Sequence, residues 1–448
     1  MTSDIATLHP TLSTIRRAEW QLCRDAIDGE GAIKARAYEY LPAPSGFASQ
    51  EDGGLKMYEA YRARATFPEL LAPSVSAMIG IIHGKEIKID LPDSMEYLYE
   101  DSDGNGLPLE AFHRRITREL LIIGSYAILA DIPRNGGDPY LSGYSRDRLI
   151  NWDKDWWVLD ETRMIRKGFV WDQLRQYLLL HIDGGLYSPL MYDENGNFEE
   201  IEVRGVGGMP LPRIPFVVGS AVDLSPRIEA PPLIGVARAA LAMYQLSADY
   251  RHQLYMSGQE TLVAIDGEAP EAVGAGVVHQ MFSGEGKQAK LEYVSPTCSG
   301  IDAHEKAMDR ERQAAVMAGA RLFEDRSAQE SGEAKRLRYA SETATLVSVA
   351  QNSCAMLEKS LRNIGMIMGM SDEQQAEIIV HAPTDLMDRT MSPREFAALF
   401  GVYSAGGMSW ETYFANGQRG GIFSPEDTAE DEAGRLDAPL AGNNPAVV

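Results

Sequence analysis

Apolar residues along this chain follow different rhythms in different stretches, and their order divides the sequence. The first 66 residues carry helical stretches rich in Arg and Tyr, broken by the turn segment LPAPSGFAS at 41–49. Between 67 and 91 a helix-like apolar patch leads into IGIIHGKEIKIDLP, where Ile87 and Ile89 alternate with Lys88 and Asp90. That period of two predicts a strand with one wet face. Phe112, Ile116, Leu120 and Ile123 restore helical spacing over 109–123, and a short strand over 126–132 ends at Pro133. Residues 140–220 are predicted to be rich in strands. Trp152, Trp156, Trp157 and Trp171 fall there, and QYLLLHIDGGLYSPLMYD at 176–193 has the form of two strands around a Gly-Gly turn. Residues 1–230 form one mixed α/β body on this reading.

The middle of the chain changes character. Pro231 and Pro232 open a helical pattern and Gly258 follows its end, the expected asymmetry of proline inside the start and glycine past the stop. Ile234, Leu241, Ala248 and Tyr255 recur seven apart within it, and at 1.5 Å per residue the helix is about 40 Å long. Strand-like TLVAID and QAKLEYV then alternate with Gly-rich turns over 261–296. A second helix starts at Ser299, which forms a capping-box-like pair with Asp302, and carries Ile301, Met308, Ala315 and Leu322 seven apart. A third starts at Ser327, capped with Glu330. Its apolar face runs through Leu337, Ala340, Ala344, Val347, Ala350, Cys354, Leu357, Leu361, Ile364 and Met368. After Met370 the pattern gives a strand over 377–381, short helices over 393–404 and 408–416, and an acidic Pro/Gly/Asn-rich tail from Ser424, predicted to be disordered.

Two long helices flanking a small β module make a stalk with a knob. The first two helices hold few large aliphatics and much alanine, including Ala239, Ala240, Ala242, Ala314, Ala315, Ala318 and Ala320. Such helices approach neighbours closely and bury little alone. Identical stalks side by side would stabilise one another, which implies a closed head-to-tail ring. The competing reading of the same residues is an ordinary antiparallel helix pair within a monomer.

Composition narrows the function. A chain of 448 residues exceeds what one core fills, roughly 250–300 residues. Its 44% hydrophobic and 24% charged content is that of a globular protein. The net charge of −23 argues against tight DNA binding by a single subunit, since such grip comes from Lys and Arg on phosphates. It suits DNA that must slide past without sticking. Cys23, Cys298 and Cys354 lie far apart with no ligand spacing, which argues against a disulfide framework or zinc site. The opening MTSDIATLHPTLSTIRRAEW has no apolar core of a signal peptide, and no run of 18 apolar residues predicts a membrane span.

Fragments of known catalytic and metal-binding motifs occur, each incomplete. DSDGNG at 101–106 places Asp101, Asp103, Asn105 and Gly106 as in the first half of a calcium loop, but the twelfth position is Phe112 instead of a carboxylate. GVGG at 205–208 and GAG at 274–276 lack the context of a nucleotide loop, and neither HExxH nor GxSxG occurs. His279, His304 and His381 are scattered, and pairs such as Glu324 with Asp325 or Glu199 with Glu200 suit solvated faces. No catalytic, metal or cofactor residue is predicted, and the chain is read as a non-enzyme.

Particular segments resemble a known family. They are Trp20 with CRD at 23–25, YLP at 40–42, YRARATF at 61–67, IGIIHGK at 79–85, DSDGNGLPLEAF at 101–112, GSYAILADIP at 124–133, INW at 150–152 and IPF at 214–216. The strongest is PPLIGVARAALAMYQLSADYRHQLYMSGQETL at 231–262, followed by MAGARLF at 317–323 and SGEAKRLRYASETATL at 331–346. In order and spacing they resemble tailed-bacteriophage portal proteins, in a group long catalogued as a domain of unknown function. The resemblance implies an α+β portal architecture in a ring of about twelve subunits. Residues 1–230 would be the α/β wing, 231–258 and 299–322 the stem helices, and 259–298 the clip. The channel loop would be 323–330, the long wing helix 331–370, the C-terminal wing and crown 371–424, and the disordered acidic tail 425–448.

The implied role is a channel at one capsid vertex, assembled in the host cytoplasm, for DNA packaging and ejection. Its implied partners are further copies of itself, the terminase large subunit, a head–tail adaptor, the major capsid or scaffolding protein and double-stranded DNA passing without sequence preference; no membrane is involved. Glu324, Asp325, Arg326, Ser327 and Gln329 would face the channel, and Glu268, Glu271, His279, Phe282, Lys287 and Lys290 would dock partners at the clip. The alternative is a non-conducting capsid or head–tail connector scaffold.

Overall fold

The computed structural model describes residues 4–45, 54–84, 87–133, 136–258, 260–266, 270, 273, 280–282, 286, 288–295, 300–319, 332–383, 393–424 and 427–437, with backbone alone at 332–345, 393, 436 and 437. The chain divides into two units, Met1–Ala382 and Pro383–Val448. In the first, the helices are α1 (Thr14–Asp28), α2 (Glu30–Ala35), α3 (Gly54–Arg64), α4 (Leu71–Ile82), α5 (Leu109–Ile122), α6 (Ile234–Ser257), α7 (Ile301–Met317), α8 (Gly332–Ile367) and α9 (Asp372–Ala376). Among the strands, β1 (Ile89–Asp90) pairs with β15 (Ile379–Val380). A three-stranded sheet runs β12 (Phe216–Ser220), β2 (Ser125–Asp131), β3 (Tyr140–Ser145). A larger sheet runs β11 (Phe198–Glu200), β10 (Leu190–Asp193), β8 (Gln176–Asp183), β5 (Trp156–Asp160), β4 (Leu149–Asp153), with β9 (Leu186–Tyr187) also on β8. Two hairpins stand apart: β6 (Arg163–Lys167) with β7 (Val170–Leu174), and β13 (Thr261–Ile265) with β14 (Lys290–Val294). Every strand pair among the described residues is antiparallel, so the chain is α+β.

The core forms where α8 crosses β2 and β12. Strand β2 is buried from Ser125 to Ala130, so YAILA is a continuous apolar run instead of an alternating one. Helix α8 presents Val349, Ala350, Met356, Leu357, Leu361, Ile364 and Ile367, all fully buried. A Cβ at Gly219 on β12 would fall 2.5 Å from the Met356 sulfur, so this glycine is what lets helix and strand close up. The small polar side chains of α8 in this core find acceptors. The Ser348 hydroxyl and Asn352 amide donate to the Ala221 carbonyl at 3.1 and 3.0 Å, and Ser353 and Ser360 donate to carbonyls of their own helix.

A pair of histidines is sealed where α4, α5 and α8 meet. His83 Nε2 lies 2.9 Å from the Thr117 hydroxyl and His113 Nε2 lies 3.1 Å from that of Ser353; the rings meet edge to face at 4.9 Å. Burial, aided by Arg114, pushes His83 down to about 4, and burial beside His83 pushes His113 down to about 3.

Several boundaries differ from the sequence pattern. Helix α7 stops at Met317, short of Leu322, because Gly319 takes φ +127° against Leu233. Its N-cap is Gly300 without a side-chain cap, while Ser299, Ser327 and Glu330 lie outside the described residues. The strand predicted over 377–381 shrinks to β15, since Ser371 and Gln374 close a capping box that starts α9. β15 holds 371–382 to the first unit, so the stretch taken as 371–424 is split near 383.

The second unit has its own aromatic core. Helices α10 (Pro393–Ser404) and α11 (Trp410–Arg419) bring together Phe396, Phe400, Tyr403, Trp410, Tyr413 and Phe414, with Phe423 stacked on Phe414 at 4.8 Å. Within the tail, predicted to be disordered over 425–448, the described stretch includes the helix α12 (Ala429–Asp437). Thr428 caps Asp431 N, Arg435 bridges Asp427 and Glu432 at 3.0 Å each, and the Trp410 indole donates to the Ala429 carbonyl. Acidic residues in the first turn favour the helix, which composition alone concealed.

Both histidines are neutral when folded, so their contribution is complete above pH 6.5 and is lost as pH falls towards 4, by about 1.4 kcal/mol per pH unit for each buried ring. The urea midpoint should therefore fall between pH 6.5 and 4.5, and a H83Q/H113Q variant should show a flatter dependence over that window. Truncating Leu357 or Ile364 to Ala should cost about 2–5 kcal/mol of unfolding free energy in urea, against no more than about 0.5 kcal/mol for exposed Lys359→Ala.

Candidate functional site

The region expected to be the stem is built on α6, whose two ends live in different surroundings. From Val236 to Ala248 one face is buried through Val236, Ala237, Ala239, Ala240, Tyr244, Ser247 and Ala248. Side chains from α3 and the turn after it hold the second half. The Tyr61 hydroxyl donates to Asp249 at 2.6 Å, the Ser247 hydroxyl donates to the Thr66 carbonyl at 2.9 Å, and the Arg64 guanidinium lies 4.0 Å over the Tyr255 ring. Burial pushes the Tyr244 phenol up to about 12. At the far end, Leu254, Tyr255 and Met256 are exposed.

Helix α7 lies antiparallel along α6. Near the α6 start, a Cβ at Gly235 would fall 2.7 Å from the Ala318 Cβ, so backbones nearly touch. Towards the other end, the Tyr250 hydroxyl donates to Glu305 at 2.9 Å and the Gln253 amide meets His304 at 3.0 Å. The predicted seven-residue series holds in outline: Ile301 and Met308 are half-buried and Ala315 is fully buried. Ala315 is the one fully buried position among the 17 residues of α7. Five registered pairs join β13 to β14 in the hairpin between the helices, and Ile265, Tyr293 and Val294 are exposed on it.

Of the residues assigned to the clip, Lys290 opens β14, exposed and ion-paired with Glu292, and Phe282 is 83% exposed. Glu268, Glu271, His279 and Lys287 lie outside the described residues, as do Glu324, Asp325, Arg326, Ser327 and Gln329 of the channel loop. No grouping of these side chains can therefore be drawn. The calcium-like loop uses its carboxylates locally: Asp101 accepts from Gly106 N, and Asp103 accepts from Asn105 N and Leu107 N. Among the described residues no three His, Cys, Asp or Glu side chains gather as metal ligands. Burial pushes the Cys23 and Cys354 thiols up to about 12, which keeps them protonated and poor nucleophiles. His381 pairs with Asp90 at 2.7 Å and joins the two ends of the β1–β15 pairing.

Two features escaped the sequence reading. A cavity of about 630 Å3 opens beside His9, Arg16, Trp152 and Arg227. Behind it Arg146 is fully buried, 4.3 Å over Trp152, with no carboxylate in ion-pair range among the described residues; burial lowers it to about 10. Its guanidinium donates to the Leu149 and Pro226 carbonyls, while His9 stacks on Trp152 at 3.8 Å. The arrangement ties the N-terminal segment to β4, and nothing in the local sequence RDRLINW announces a buried arginine. The other feature is the close contact of Gly235 with Ala318, for which the abundance of small residues was the available signal.

No helix among the described residues is long and apolar enough to cross a membrane. Residues 232–366, spanning α6, the β13–β14 hairpin, α7 and nearly all of α8, match the model of a family described as a domain of unknown function (DUF4055). No curated protein matches the chain.

Proposed function

We propose that this chain is the subunit of a portal-type ring, a channel at a capsid vertex through which double-stranded DNA passes. The observation that carries the reading is the α6–α7 pair. A helix of 17 residues with one fully buried position gains little from its own chain and leaves most of its surface for a neighbour. Exposed Leu254, Tyr255, Met256 and Met317 supply apolar area on the same pair. The β13–β14 hairpin between the helices takes the clip role, and 323–330, which lies in sequence between α7 and α8, takes that of the channel loop. The excess of negative charge keeps DNA from adhering to the walls. On this reading the work is done by a separate terminase motor, and the subunit needs no catalytic group. The wing of the proposed architecture corresponds to the α/β body, and the C-terminal helices to wing and crown.

A second reading, a non-conducting head–tail connector scaffold, shares the need for self-association and differs in having no open bore. Measuring the mass of the purified chain and imaging it separates the two. The portal reading expects a closed ring of about a dozen subunits with a central hole. A single chain or dimer at micromolar concentration overturns it, and a closed ring without a bore favours the scaffold. Replacing Leu254 and Met256 together by Glu should reduce the ring fraction by about tenfold while leaving the thermal melt of the subunit unchanged, because both side chains are exposed within one copy.

A further inference from the structure

The β6–β7 hairpin is the most unprotected apolar element among the described residues. Its strands pair with each other through Arg163↔Leu174, Met164↔Gln173, Ile165↔Asp172, Arg166↔Trp171 and Lys167↔Val170, and with no other strand. Phe169 at the turn is 96% exposed and Trp171 is 63% exposed, with Met164 and Val170 exposed beside them. A lone two-stranded hairpin is marginal in water, and aromatic side chains held in the open mark contact sites. The hairpin is also basic. Arg163, Arg166 and Lys167 fall within five residues of a chain whose net charge is −23. Lys167 is paired with Asp172 at 2.6 Å, and the Arg166 guanidinium lies 5.7 Å over the Phe169 ring, so cation and ring form one surface.

A surface of opposite character lies on the same chain. No Lys or Arg occurs between Lys88 and Arg114, and Asp93, Glu96 and Glu100 are exposed there around the half-open ring of Tyr99. This turn is rigidly held: Tyr97 donates to the Pro139 carbonyl and Tyr99 to that of Ile89, both at 2.6 Å. Hairpin and acidic turn are both exposed within one copy, so neither covers the other.

We propose that the β6–β7 hairpin of one copy docks on the acidic 93–100 turn of the next copy. The inference rests on the ring reading above and adds the surfaces that close it. Unlike patches meet head to tail, the kind of contact that builds a ring. Arg166, on the same face of the hairpin as its cross-strand partner Trp171, faces Asp93 and Glu96 across the rim, and Phe169 and Trp171 supply the water-free centre.

The test uses the full chain with a benzophenone photocrosslinker in place of Phe169. The expected result is a product of twice the chain mass whose crosslinked peptide falls within 89–114. R166E should reduce that product by about tenfold, D93K/E96K should do the same, and combining all three should restore at least about half of it. The rescue distinguishes a charge contact from a folding defect. A wild-type preparation that weighs as a single chain overturns the ring reading together with this proposal. A ring that yields no crosslink, or one to DNA, to another protein or to a different stretch of this chain, overturns the proposal alone.

Discussion

The close approach of α6 and α7 is the constraint on which the remaining architecture turns. Gly235 and Ala318 let the two backbones come together, and the residues that permit this are too small to bury much. Small residues at a helix contact give proximity without area, and area is what converts proximity into stability. Up to Ala248, α6 resolves the problem locally by sinking into the body, and Tyr61, Thr66 and Arg64 hold its second half, whereas most of α7 and the exposed Leu254 and Met256 leave it open. The body can afford this because α8, on β2 and β12, supplies a separate and dense core.

Much of this organisation was legible in the sequence. Proline at 231–232 and glycine at 258 bracket α6, and the Ile301, Met308, Ala315 series marks the face that α7 turns to α6. The strands of QYLLLHIDGGLYSPLMYD form as β8, β9 and β10 around Gly184 and Gly185, with Pro189 interrupting the second. What was not legible depends on contacts, not on period. The end of α7 is fixed by Gly319 packing on Leu233, and the helix at 429–437 depends on Trp410 reaching Ala429 and Arg435 reaching Asp427. An acidic composition says nothing of such partners.

The candidate site divides the same way. Lys290 and Phe282 are as exposed as a docking role requires, while the channel-loop residues were singled out by position between two helices, a property that fixes no geometry. The β6–β7 hairpin shows the converse failure. Trp171 in a strand would ordinarily point into a core, and only the fold reveals that β7 has no second layer to face. Buried Arg146 is a similar surprise, since its partners are carbonyls from β4 and from a loop far along the chain.

The sealing of β2 carries a consequence for biogenesis. Its apolar strand is synthesised early, yet β12 and α8, which cover it, come much later; His113 and Cys354, in contact in the finished core, are 241 positions apart. The nascent chain must therefore carry a sticky, uncapped strand through most of translation, and loop closure over that span is slow. The body cannot complete itself until α6 and α7 have already been made. Helices α6 and α7 are thus outside the ribosome while the core is still open, and that interval ends only when α8 is made.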